Sequence, residues 1–241
     1  MINLQSEINK SKEYKSTQKL LQDFVFSVVE ESLTNVYGEN YSIRCLQSSL
    51  GIQKILKEFG INSSIQIGSC CFSVVEGTNP YQIVWGGFWD KDHHVWLLSE
   101  YFEIIDFTVS KLHLHPFRNG KNLANPIPPI WWAPASIAPP IFKYLPNKLN
   151  INLVPKLEEE ENNELLRYFD KLDEIKSKKL KLLEEGYVPH EFEALTGIQK
   201  LNELYESGNN WLNGSLIIQE QRIPFPDWII EKEKELFNHH K

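Results

Sequence analysis

The sequence predicts an α+β fold, because two helical stripes come first and a cluster of short β-rich runs follows, with a long charged helix beyond them. After a polar start, Leu20, Leu21, Phe24, Val25, Val28 and Val29 recur at helical spacing, so an amphipathic helix is expected to end near Gly38. A second stripe runs through Leu46, Leu50, Ile52, Ile55, Leu56 and Phe59, with Gly60 placed to end it. That helix starts at or beside Cys45.

From Ser64 the pattern changes. SIQIGSCCFSVV, YQIVWGGF, HVWLL and FEIIDFTV are rich in β-branched and aromatic residues and are separated by polar or glycine-containing turns, as strands of an antiparallel sheet would be. The stretch 125–146 holds seven prolines among two tryptophans, a phenylalanine and a tyrosine. Proline removes amide donors, so an irregular cover is expected here. It is either a structural wrap across the sheet or a wall of a substrate cleft, with Trp131 and Trp132 as the wall residues. Beyond Pro155, glutamates come early and lysines late in one long helix with a stripe through Leu165, Leu166, Phe169, Leu172 and Ile175. A boundary near Leu153 gives a core of 1–153, cover included, and a charged, mainly helical region over 154–241.

Composition narrows the function classes. A hydrophobic content of 41% with seven tryptophans supports a sizeable core. The net charge of −7, with no basic patch, argues against nucleic acid as a partner. No apolar run reaches the ~18 residues that span a bilayer, and the N-terminus lacks the apolar segment of a secretory signal. Three cysteines, two of them adjacent, make a poor disulfide framework and fit a reducing compartment, so a cytoplasmic protein is expected.

Three residues carry a chemical pattern. A cysteine at a helix N-terminus meets unsatisfied amides and the positive end of the dipole, which favour the thiolate. A hairpin centred on Glu100 would place His94 directly opposite Asp106, with Cβ atoms ~4.5–5.5 Å apart. A carboxylate there holds an imidazole in the tautomer that accepts a thiol proton. His93 alternates to the other face with Val95 and Leu97. His113 and His115 have an H-x-H spacing without a third ligand, so no metal site is expected.

RCLQSSLGIQKILKEFGI, SSIQIG, HHVWLL and IIDFT, in that order, resemble the core of the transglutaminase-like superfamily of cysteine enzymes, over roughly Tyr41 to Val109. The resemblance implies a papain-like core in which a nucleophile helix packs on an antiparallel sheet. It also implies a Cys45–His94–Asp106 triad, with Trp96 and Thr108 matching the H-x-W and D-x-T steps. ENYSIR replaces the glycine-rich or tryptophan-bearing approach to the cysteine found in some members. The Cys45 amide is then the first oxyanion donor, with Gln47 and Asn40 as side-chain candidates. The expected activity is thiol-dependent acyl transfer of peptidase, amidase or deamidase type on a protein or peptide substrate, without metal or organic cofactor. The alternative is a catalytically idle relative that binds a protein or peptide.

Overall fold

The computed structural model describes residues 3–75, 83–88, 94–109, 130–135, 142–147, 157–190 and 194–195, with isolated positions of the C-terminal region. It is an α+β protein. The elements are α1 (Leu4–Tyr14), α2 (Lys19–Tyr37), a 3-10 turn (Gly38–Ile43), α3 (Cys45–Glu58), β1 (Ser63–Val75), β2 (Ile83–Phe88), β3 (His94–Ser99), β4 (Glu103–Asp106), β5 (Ile130–Pro134), β6 (Phe142–Pro146), α4 (Glu159–Glu184) and β7 (Ala194–Leu195). The polar start thus contains a helix the hydrophobic pattern does not announce: α1 buries only Ile8 and Ser11, and the Asn3 side chain caps it through the Ser6 amide.

The strands form one sheet in the order β2-β1-β3-β4-β5-β7, with β6 also paired to β1. All pairings are antiparallel except the short one between β5 and β7. Alternation sends Ile65, Ile67, Val95, Leu97, Ile105 and Trp132 into a single apolar cluster with α2, α3 and α4. The chain beyond Leu153 therefore contributes α4 to this core and β7 to this sheet. The α4 stripe differs from the expected one. Leu165, Tyr168, Leu172 and Ile175 are buried and Leu166 is 57% exposed, because a 3.6-residue period from Leu165 selects Tyr168 over Leu166. Tyr168 lies flush against Gly51 of α3, where a Cβ would collide with its ring and hydroxyl. Partly exposed ion pairs tie α4 to its neighbours, Lys176 to Glu58 of α3 at 2.6 Å and Lys179 to Glu31 of α2 at 2.8 Å, and contribute little each.

The proline-rich segment is more regular than expected. Its proline-poor stretches make β5 and β6, and Pro134 and Pro146 stand at the strand ends, where a missing amide costs least. The hairpin between β3 and β4 also departs from the expected register. Leu97 pairs with Ile105 and Leu98 with Ile104, so the turn centres on Tyr101 rather than Glu100. The cause is a three-residue loop closed by Phe102 in the left-handed region at φ 59°, with its amide donating to the Ser99 carbonyl at 2.9 Å. The buried Glu103 carboxylate secures this hairpin by accepting from the Thr17 amide at 2.8 Å, the Thr17 hydroxyl at 2.7 Å and the Ser99 hydroxyl at 3.0 Å.

Candidate active site

Moving the turn centre by one residue keeps side-chain faces unchanged, since the pairing sum shifts by two and the side-chain period is two. Extending the register puts Asp106 opposite Trp96 and leaves His94 one diagonal step away on the same face. Diagonal neighbours are ~7–8 Å apart at the backbone, within reach of an imidazole. His94 Nε2 lies 2.5 Å from Asp106 Oδ2, with both side chains about 1% exposed. The carboxylate is fixed at its other oxygen as well: Oδ1 accepts from the Thr108 amide at 3.0 Å and the Thr108 hydroxyl at 3.2 Å. The D-x-T step is thus a local turn that orients the aspartate.

Cys45 arrives from the opposite direction. The 3-10 turn delivers the chain to Arg44, and α3 begins at Cys45 itself, with no acidic residue in its first turn to offset the dipole. Arg44 is held by Tyr37, whose ring its guanidinium covers at 4.4 Å, and by Glu164 of α4 at 3.6 Å. The Ser48 amide closes the first turn on the Arg44 carbonyl at 2.9 Å, and the Ser49 hydroxyl reaches the Val95 carbonyl of β3 at 3.4 Å. The half-buried Cys45 thiol then meets the imidazole of His94 in a side-chain hydrogen bond. Because Nε2 faces Asp106, Nδ1 is the nitrogen left for sulfur.

The charge of His94 follows from these neighbours. Burial alone would push its pKa down, but the Asp106 carboxylate, through its charge and its hydrogen bond, and the contact with Cys45 push it up to about 10. At neutral pH the ring is therefore an imidazolium.

Trp96 and Tyr144 complete the surroundings. The indole of Trp96 lies nearly parallel to His94 with centroids 5.8 Å apart, and Tyr144 of β6 does the same at 6.3 Å. The Tyr144 hydroxyl donates to Asp106 Oδ2 at 2.9 Å. Residue patterns did not single out Tyr144. It pairs with Cys70, far away in sequence, and only the β1–β6 pairing reveals it. Gly68 makes that pairing possible, because it stands opposite both His94 and Pro146 and its missing Cβ leaves room for the β6 backbone, with Pro146 Cα only 2.8 Å from where that atom would be. Gly68→Ala is expected to push β6 off the sheet and destabilise the fold by about 1–3 kcal/mol. A urea midpoint unchanged from wild type would contradict this.

The remaining sequence candidates separate. Trp131 pairs with Asp106 and shares its face, whereas Trp132 points into the helix-facing core and packs on Phe26 at 5.1 Å. Adjacent residues of a strand face opposite sides, so the two tryptophans cannot wall one cleft. Gln47 is buried in the first turn of α3. The side chain of Asn40, and His93, His113 and His115, lie outside the described residues. Among the described residues no group of three or more His, Cys, Asp or Glu side chains could hold a metal, and no helix is long and apolar enough to cross a membrane. Comparison with protein-family models, curated proteins and solved structures finds no match to the chain.

Proposed function

We propose that the protein is a thiol enzyme of acyl transfer with a papain-like core of the transglutaminase-like kind. The observation that carries this reading is His94 held between a buried carboxylate at 2.5 Å and the thiol at the start of α3. In this reading the Cys45 thiolate attacks an amide carbonyl carbon, forming a C–S bond while the C=O π electrons move to oxygen. Collapse of that intermediate breaks the C–N bond, and the departing amine takes the proton from His94. Water then gives a proton to His94 as it attacks the thioester, and the C–S bond breaks to return the thiolate beside the re-protonated ring. In this reading the backbone amide of Cys45, at the start of α3, supports the oxyanion. A peptide or protein carboxamide is the proposed substrate class.

Iodoacetamide labelling of Cys45, followed by mass spectrometry, tests the reading. An ordinary thiol is only about 3% ionised at pH 7, so a thiolate held by His94 should label roughly tenfold faster, its lower intrinsic nucleophilicity reducing the full gain. His94→Ala removes this advantage. Buried Cys70 is a poor comparison because burial alone slows it, so Cys45 in the His94→Ala variant is the reference. Equal Cys45 rates in wild type and variant would leave the fold as a binding module without thiol catalysis.

A further inference from the structure

Resting on the reading of Cys45 and His94 as nucleophile and acid–base pair, we propose that Tyr144 is a positioning residue that sets how tightly Asp106 holds the His94 imidazolium. Two donors converge on one carboxylate oxygen, His94 Nε2 at 2.5 Å and the Tyr144 hydroxyl at 2.9 Å, while the other oxygen is occupied by Thr108. Donors that share an acceptor oxygen compete for its charge, so the phenol withdraws part of the negative charge that would otherwise bind the ring. The consequence is chemical: His94 must surrender its proton to a departing amine, and an undivided carboxylate would resist that transfer.

The rest of the environment fits a fixed donor. The Tyr144 ring lies over His94 at an interplanar angle of 20° and against Trp96 at 4.9 Å, so its hydroxyl cannot swing away without unstacking. Burial, then the charge of Asp106 and the proximity of Cys70, raises the phenol well above its usual pKa, and it stays protonated throughout the working range. Among the described residues, the titratable groups that act on the pair are Cys45 from α3, Cys70 from β1, Asp106 from β4 and Tyr144 from β6. Cys70 is the β1 residue paired with Tyr144, and its charge adds to the upward push on the phenol.

The test follows the His94 ring by NMR as a function of pH in the full chain. Tyr144→Phe retains the stacking ring and removes only the donor, and it is expected to raise the His94 midpoint by roughly half to one unit. A fluorinated tyrosine incorporated at position 144 is a stronger donor and should move the midpoint downward. Opposite shifts support the proposal, because general loosening of the site would not change sign. A midpoint unmoved in both variants overturns it, and if Cys45 still labels faster in wild type than in His94→Ala, the thiol-enzyme reading survives that failure. If Cys45 labels equally in those two proteins, the catalytic reading fails while the two midpoint shifts still decide whether Tyr144 governs the Asp106–His94 pair.

Discussion

Asp106→Ala is expected to destabilise the protein by about 3–5 kcal/mol, because it strands a buried cation and the donors that converge on the carboxylate. His94 and Asp106 are each about 1% exposed, so water cannot replace the lost partner without opening the sheet. The Thr108 amide, the Thr108 hydroxyl and the Tyr144 hydroxyl lose their acceptor in the same substitution. Burial then dominates the imidazole, which gives up its proton, and Cys45 loses the positive charge beside it. Two measurements should move together: the urea midpoint falls, and Cys45 labelling at pH 7 drops about tenfold toward that of an ordinary thiol. Asp106→Asn separates the two, since it keeps most of the shape and some hydrogen bonding while removing the charge. It should lose less stability than alanine and nearly as much thiol reactivity. If Asp106→Asn labels as fast as wild type, the carboxylate does not maintain the imidazolium.

How much of this was legible in the sequence depends on the range of the interaction. Cys45 at the start of α3 is a local fact, fixed by the stripe that begins beside it and ends near Gly60. His94 and Asp106 come from one hairpin, so parity alone places them on one face, even though the turn centres on Tyr101 instead of Glu100. Parity survived because the three-residue turn, ended by the left-handed Phe102, is displaced by one position, so its centre still falls on a residue and the alternation is kept. Thr108 was visible as part of a short step, and its role needed only the turn after Asp106. Tyr144 was not legible. Its place depends on β6 pairing with β1 through the gap at Gly68, and no local spacing encodes a partner so distant in sequence. The prolines concealed β5 and β6 for a related reason: a high proline count argues against strands unless the prolines fall at the ends, and only the pairing shows that they do. Tyr168 was missed on α4 because a phenol reads as polar-tipped, yet Gly51 admits it to the core.

The raised pKa of His94 makes the stability of the fold depend on pH in one direction. Unfolded, the imidazole titrates near 6.5; folded beside Asp106 and Cys45, it titrates at about 10. Between those values the folded state holds a proton that the unfolded chain has released, so stability falls as pH rises. The contribution is fully present below 6.5 and is lost as pH climbs through the folded value. The tyrosines shifted upward, including Tyr37, Tyr101 and Tyr144, start from an ordinary value of 10.0 and act above this window. The lowered Asp173 acts at the acid end. The cleanest measurement uses Cys45→Ala, which removes the thiol from beside the ring. Its window opens at the same 6.5 and closes below the wild-type value, because the thiol's share of the shift is gone. Urea midpoints of Cys45→Ala should decline steadily from pH 6.5 to pH 9 by an amount on the order of a few kcal/mol. Adding His94→Gln should flatten that decline, since the titrating group is then absent. Parallel slopes with and without His94 would mean that the ring is neutral in the folded protein, and the ion pair with Asp106 would have to be given up.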